Sequence, residues 1–144
     1  MSQEQEIEIA PIGAQQRAQV ESLTSAYIAR ATALFEYEFA AVPVRFDLSG
    51  STAGMFRVER AGGVIRYNPW IFAKYFKENL HDTVAHEVAH YIIYEVFGPR
   101  ARSHGQEWQD LMTCFGANPR ATFDLDISDI PQRRQATHPY RCGC

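Results

Sequence analysis

The chain has 144 residues and a mass of 16.4 kDa, a size that favours one domain with a buried core. Its formal charge of -3 excludes a strongly basic nucleic-acid-binding protein, and no apolar run is long enough to span a bilayer. Three cysteines and an acidic N-terminus argue against a disulfide framework and a secretory signal, so we expect a cytoplasmic monomer that does not bind membranes.

The first third of the chain predicts a leader followed by a long helix. Residues 1–12 are polar up to Pro11 and are expected to form a flexible leader. From Gly13 to Tyr37, apolar residues recur at steps of three and four, which is the pattern of one buried helical face. The residues of that face are Val20, Leu23, Tyr27, Ala31 and Leu34.

The middle of the chain changes to a period of two, which predicts a small sheet. We expect a first strand over residues 44–48, a second over residues 53–60 and a third over residues 64–67. The paired glycines of Ala61-Gly62-Gly63 predict a hairpin between the second and third strands. Together the segments predict a three-stranded, mainly antiparallel sheet.

Two helices are predicted after the sheet. Asn68-Pro69 starts a short one, with Asn68 as the N-cap and Pro69 in the first turn. The next begins near Asp82 or Thr83, either of which can cap it, and it ends at Gly98-Pro99. Because this second helix is apolar nearly all round, we expect it to be buried in the core.

A last helix is predicted in the C-terminal third. Ser103 and Gln106 have the spacing of a capping box, which predicts a helix that begins at His104 and ends at Gly116. Cys114 lies on this helix and is expected to be a buried core thiol. The predicted elements therefore give an α+β fold.

The segment His86-Glu87-Val88-Ala89-His90 lies within the buried helix and has the HExxH pattern. Residues four apart share a helical face, so His86 and His90 can bind one Zn²⁺ while Glu87 acts on a metal-bound water. Each buried polar group needs a partner, and a metal would satisfy both imidazoles. The alternative is two core histidines hydrogen-bonded to backbone carbonyls.

A catalytic zinc requires a third protein ligand and one open position. His104 is the first candidate, because the turn before it is long enough to fold back and Gly105 allows close approach of the backbone. Glu107 is the alternative third ligand. His81 lies five residues before His86, so on a continuous helix it would point about 140° away.

Several further segments accompany the HExxH motif, and the combination is far more specific than the motif alone. They are Ser51-Thr52-Ala53-Gly54, Arg66-Tyr67-Asn68-Pro69, Phe97-Gly98, His104-Gly105-Gln106-Glu107-Trp108, Met112 and Tyr140-Arg141-Cys142-Gly143-Cys144. Through them, residues 43–144 resemble the SprT family of zinc metallopeptidase-like proteins, which includes bacterial SprT and the protease core of eukaryotic Spartan. The resemblance implies a zincin-like core of the minigluzincin type, with the third ligand carried by the helix that follows the HExxH helix.

By that resemblance, His86, His90 and His104 are the zinc ligands and Glu87 is the general base of a zinc-dependent endopeptidase. Residues 13–130 would form the SprT-like metallopeptidase domain. Its substrate would be a protein or peptide, and the Spartan precedent points to DNA-associated or DNA-crosslinked proteins and to DNA–protein crosslink repair. The rival interpretation is a catalytically silent zinc-containing module that binds nucleic acid or protein.

The sequence does not determine how the substrate binds or which residue stabilises the oxyanion. The exposed edge of the sheet can hold an extended peptide by strand addition. The residue that stabilises the oxyanion is undecided among three candidates, Tyr67, Tyr91 and Tyr94.

Residues 131–144 are expected to form a polar tail, in which Cys142 and Cys144 resemble the start of the zinc ribbon that follows the SprT core in many bacterial members. Cys142 and Cys144 would hold a second, structural zinc, which needs two more ligands. Either the chain is truncated, or the ribbon is absent, or His138 or a partner completes the site. Residues 99–144 carry six arginines against five acidic residues, so weak DNA binding would use this part of the chain.

Overall fold

A computed structural model describes residues 9–120 and Ser128. The helices are α1 (Ala14–Phe35), α2 (Pro69–Lys74), α3 (Phe76–Glu78), α4 (Val84–Phe97) and α5 (Gln106–Cys114), and a π-helical turn, Asn79–Thr83, joins α3 to α4. The strands are β1 (Val44–Arg45), β2 (Gly54–Glu59) and β3 (Gly62–Tyr67). The predicted α+β class is confirmed. Most of the leader, the polar tail, His138, Cys142 and Cys144 lie outside the described residues.

None of the described helices is both long and apolar enough to cross a membrane. α1 has the length, but it is amphipathic and buries only one side against the core. Its buried residues are Val20, Thr24, Tyr27, Ile28 and Ala31. The prediction that Leu34 belongs to that face is wrong, because the buried side ends one turn earlier and leaves Leu34 53% exposed.

The sheet has the strand order β1-β3-β2, with β1 parallel and β2 antiparallel to the central strand. β1 is shorter than predicted. Beyond Arg45 the chain leaves the ladder, and the Phe46 ring packs under the Arg17 guanidinium at 5.2 Å. The hairpin turn comprises Arg60 and Ala61, and Gly62 opens β3 with a φ of 126°, a conformation that glycine adopts readily.

Helix α4 is the centre of the fold and packs against α1, α5 and the sheet. Its buried residues are Val84, Ala85, Glu87, Val88, Ala89, His90, Tyr91, Ile92 and Ile93. The prediction of burial on all sides is therefore confirmed for nine of the first ten residues, with His86 partly exposed. It fails at the C-terminal turn, where Val96 and Phe97 are 40% and 49% exposed.

The start of α4 differs from the prediction. Neither Asp82 nor Thr83 caps it, because the chain is already helical through the π-helical turn and Thr83 has φ -68° and ψ -41°. The Thr83 hydroxyl instead donates to Oδ1 of Asn79 at 2.6 Å. The Asn79 amide in turn donates to the carbonyls of Ile71 and Tyr75 at 3.3 and 2.8 Å.

The two helix signals that contain a proline are confirmed. The Asn68 side chain accepts hydrogen bonds from the backbone N–H groups of Trp70 and Ile71 at 3.0 and 3.1 Å, with Pro69 in the first turn of α2. Gly98 ends α4 with a φ of 80°, and its N–H donates to the Tyr94 carbonyl at 2.8 Å.

The prediction that Cys114 is a buried core thiol is wrong, since its side chain is exposed. The helix α5 and the residue after its end bury one face, made by Trp108, Leu111, Met112 and Phe115. On an α-helix, Cys114 points roughly 100° away from the middle of that face, toward solvent.

Candidate metal centre

Three histidine side chains converge beside the middle of α4. The Nε2 atoms of His86 and His90 are 3.1 Å apart, those of His90 and His104 are 3.0 Å apart, and those of His104 and His86 are 3.2 Å apart. Among the described residues, these three form the one group of His, Cys, Asp or Glu whose donor atoms all lie within 4.8 Å of one another. The structure therefore brings together all three histidines that the sequence singled out.

Hydrogen bonds alone do not account for this triangle of nitrogens. A hydrogen bond needs one donor and one acceptor, and a single imidazole nitrogen is either protonated or not. Three nitrogens with only two possible states cannot form three donor–acceptor pairs, so at least one pair must repel. A cation bound by three unprotonated Nε2 atoms removes the conflict, and neutral imidazole is a preferred ligand of zinc.

The dimensions of the triangle also fit a zinc ion. Tetrahedral zinc with Zn–N distances of about 2.0–2.1 Å needs nitrogen separations of about 3.3–3.4 Å, a few tenths of an ångström wider than those observed. The His86 side chain is 12% exposed and His90 is 9% exposed, so the centre lies just below the protein surface and is mostly shielded from solvent. Three protein ligands leave the fourth position of such an ion for water or substrate.

His104 lies in a backbone conformation that the capping-box prediction missed. Its φ is 55°, in the left-handed region, and α5 begins two residues later at Gln106 with Gly105 as the N-cap. The prediction of a helix start at His104 and a capping box at Ser103 is therefore wrong. A right-handed helix cannot begin at a residue in the left-handed region. His104 has this backbone conformation while its imidazole extends toward the histidines of α4.

The two alternative ligands lie elsewhere. Glu107 is exposed on the first turn of α5, and the structure does not place it among the three donor atoms. The side chain of His81 is 61% exposed and lies 3.9 Å from the carboxylate of Asp82, in the π-helical turn. His104 is thus the third nitrogen of the centre.

The carboxylate of Glu87 lies beside the histidines but within the protein. Its Oε2 is 3.8 Å from Nε2 of His86, and its side chain is only 3% exposed. Burial raises the pKa of the neighbouring Tyr67 well above its usual range; the hydrogen bond to Thr24 opposes that rise, and the charge of Glu87 adds to it. A buried carboxylate next to a candidate metal site is a candidate for a general base.

The model of the SprT-like family matches residues 24–128. The chain belongs to this family. Protein SprT of Pseudomonas paraeruginosa is 38% identical over 112 residues, which cover 76% of this chain and 64% of that protein. The SprT proteins of Pseudomonas putida and Actinobacillus succinogenes are 34% and 30% identical over 117 and 127 residues, or 80% and 88% of this chain and 68% and 71% of those proteins. No solved structure matches this SprT-like chain.

Trp108 is a residue of this SprT-like site whose role the sequence did not reveal. Its ring centroid lies 4.8 Å from that of His86, 5.5 Å from that of His90 and 4.7 Å from that of His104. The indole is 1% exposed and donates from Nε1 to the His86 carbonyl at 3.3 Å. The spacing of four residues between His104 and Trp108 is consistent with contact between their side chains. It indicates a role for Trp108 at the metal centre only once the three histidines are known to converge.

The three tyrosines considered for oxyanion binding differ in their surroundings. The Tyr67 hydroxyl is fully buried against Oγ1 of Thr24 at 2.9 Å, and the Tyr91 hydroxyl donates to the Ala40 carbonyl at 2.8 Å. The Tyr94 side chain is partly exposed, and its ring centroid lies 5.8 Å from that of Phe56.

Proposed function

We propose that the chain is a zinc-dependent endopeptidase of the SprT type. His86, His90 and His104 hold the ion, and Glu87 is the general base. The observation that carries the proposal is the joint position of the four side chains, with three imidazole nitrogens within 3.2 Å of one another and a buried carboxylate oxygen 3.8 Å from one of them. A structural zinc site would be closed by a fourth protein ligand, and the described residues place none there.

The chemistry divides between the ion and the carboxylate. When bound, zinc lowers the pKa of a water molecule and polarises the scissile carbonyl. Glu87 accepts the proton of the attacking water at a carboxylate oxygen and delivers it to the leaving amine nitrogen, so that one peptide bond and one water give one acid and one amine. Burial of Glu87 limits competing water around the proton that is transferred.

An extended substrate would lie along the outer edge of β2. β2 is a six-residue edge strand, whereas β1 at the opposite edge has two residues. Gly54 at the start of β2 lies directly against Glu87, so a peptide paired with this edge passes close to the general base. Backbone hydrogen bonds of this kind recognise unfolded or extended segments with little dependence on sequence.

Glu87→Gln tests the proposal, with Glu95→Gln as the matched control. Both replace one glutamate of α4, but Glu95 is exposed two turns further along. With zinc present, we expect Glu87→Gln to reduce cleavage of an unfolded protein by about 10²–10⁴-fold and Glu95→Gln to retain it. Both variants should bind one zinc per chain. The substrates should include a free protein, a DNA-bound protein and a DNA-crosslinked protein, since DNA-linked targets belong to the proposal.

Wild-type protein that binds zinc but cleaves none of these substrates would contradict the proposal. Strong DNA or protein binding by the same zinc-loaded sample would then favour the rival, a catalytically silent module. A Glu87→Gln variant as active as the wild type would remove Glu87 from the mechanism.

A further inference from the structure

Gly54 lies in a strand and has a backbone φ that other residues also adopt. It begins β2 and pairs with Tyr67 of β3. Left-handed glycine φ values occur at Gly50, Gly62, Gly98 and Gly116, but not at Gly54. Glycine weakens a strand, because it loses more backbone entropy than other residues and packs no side chain. Its presence here therefore points to a close approach by another group.

The group that approaches is Glu87. A Cβ atom added at Gly54 would lie 2.9 Å from Cγ of Glu87, 3.1 Å from Oε2 of Glu87 and 2.9 Å from Cγ2 of Thr83. Ordinary van der Waals contact begins at about 3.4 Å, so a side chain at this position would displace the carboxylate, the methyl group or both. The glycine is thus required for the position of Glu87 beside the histidines.

Thr83 closes the same space from the π-helical turn. Its hydroxyl donates to Asn79, whose amide donates to the backbone carbonyls of Ile71 in α2 and of Tyr75, the residue after α2. These bonds fix the rotamer of Thr83 and direct its methyl group toward Gly54. The space beside the Gly54 Cα is therefore bordered by the Glu87 side chain and by the methyl group of a threonine whose hydroxyl is held.

We propose that Gly54 and Thr83 form a steric cradle that fixes the carboxylate of Glu87 in its catalytic position. The inference rests on the proposed role of Glu87 as general base. Both cradle residues would act on the reaction through the position of Glu87, so both are positioning residues. A methyl group at Gly54 would demand a shift of about 0.5 Å in Cγ of Glu87, from 2.9 Å to ordinary contact. A shift of about 1 Å in a catalytic group can cost about 10²-fold in rate, so we expect a loss of about tenfold or more.

Gly54→Ala is the first test, and Gly63→Ala is its matched control. An added Cβ at Gly63 would lie 2.8 Å from Cε1 of Phe56, so it crowds the same sheet to a similar degree at a point where Glu87 is not among its neighbours. We expect Gly54→Ala to lower kcat by at least about tenfold with KM within about twofold, and Gly63→Ala to keep both. Zinc stoichiometry should stay at one in both variants. Equal kcat in the two variants would overturn the inference.

A second substitution that restores kcat to Gly54→Ala would show that the loss comes from displacement of Glu87 and not from general damage to the fold. Thr83→Ser keeps the hydroxyl that bonds Asn79 and removes the methyl group that crowds residue 54. Combined with Gly54→Ala, it gives the displaced side chains room to return, and we expect kcat to recover by about threefold or more. A double variant that is less active than Gly54→Ala would argue against the cradle.

A stability measurement tests the same contact without reference to activity. In a Glu87→Ala background the Cγ and Oε2 atoms that meet the new methyl group are gone and only the Thr83 contact remains, so Gly54→Ala should lower Tm by less than it does in the wild type. Equal Tm losses in the two backgrounds would overturn the cradle. If wild-type protein cleaves nothing, the proposed function fails, while this comparison still decides whether the cradle exists.

Discussion

The indole N–H of Trp108 donates to the backbone carbonyl of His86 at 3.3 Å, and the two rings lie 4.8 Å apart. This pair joins α5 to α4 at the point where the first two histidines are presented. The same indole also contacts the rings of His90 and His104. Trp108 therefore fixes the relative position of all three imidazoles through one rigid, buried side chain.

Trp108→Phe should weaken zinc binding more than it weakens the fold. Phenylalanine keeps an aromatic ring in the site, but it removes the N–H donor and part of the contact with the three histidines. Loss of a supporting contact of this kind typically costs about 10–100-fold in metal affinity, so we expect at least about tenfold. Competition with a chromogenic chelator measures it. Trp70→Phe is the control, since Trp70 packs in a separate cluster with Ala53 and Ile71; equal zinc affinities in the two variants would contradict the role of Trp108.

The variants His104→Ala and Glu107→Ala distinguish the two residues that the sequence offers as the third zinc ligand. The structure places Nε2 of His104 at 3.0 and 3.2 Å from the other two histidine nitrogens, whereas Glu107 is exposed. We expect His104→Ala to lose stoichiometric zinc after dialysis and Glu107→Ala to retain one zinc per chain. Metal analysis by mass spectrometry gives the answer. Zinc retained by His104→Ala and lost by Glu107→Ala would reverse the assignment.

The parts of the fold that could be predicted from the sequence are those determined by local chemistry. Asn68-Pro69 and Gly98-Pro99 set helix boundaries through hydrogen bonds and φ values within a few residues, and both boundaries are observed. The four-residue spacing of His86 and His90 fixes their common face in the same local way. Such signals need no knowledge of tertiary structure.

The predictions that failed depend on contacts between distant segments. Thr83 has the chemistry of a cap, but helical residues precede it and Asn79 binds its hydroxyl. Ser103 and Gln106 have capping-box spacing, yet His104 adopts a left-handed φ as its ring meets two histidines 14 and 18 residues earlier in the chain. The role of Gly54 was hidden for the same reason, because Glu87 lies 33 positions further along the chain.

Asn68→Ala should destabilise the whole domain. Its side chain caps α2 through two N–H groups, and its amide donates to the Gly50 carbonyl at 3.1 Å while the residue is fully buried. Loss of the cap and of a buried donor should lower the free energy of unfolding by at least about 2 kcal/mol. Urea denaturation measures the change. Asn118→Ala is the control, because Asn118 is exposed and its bond to Asp82 comes from its backbone N–H; losses of equal size would contradict the role of Asn68.

Tyr67 should make the folded protein sensitive to alkali. Burial, more than the charge of Glu87, raises the pKa of Tyr67 far above the ordinary tyrosine value of 10.0. The folded protein therefore keeps a proton that the unfolded chain releases above pH 10, so the free energy of unfolding falls as the pH rises through and beyond that value. At pH 11 this tyrosine alone should account for a loss of about 1.4 kcal/mol relative to neutral pH.

Tyr67→Phe should remove that part of the alkaline loss. Thr24 keeps its own hydrogen bond to the Val20 carbonyl at 2.8 Å, so the substitution leaves no donor of Thr24 without an acceptor. Burial also raises the pKa values of Tyr27 and Tyr91, so a smaller alkaline loss should persist in the variant. Urea denaturation of the wild type and of Tyr67→Phe between pH 8 and 11 measures the two slopes. A Tyr67→Phe variant whose stability falls as steeply as that of the wild type would show that the buried Tyr67 hydroxyl does not control the alkaline limit of the fold.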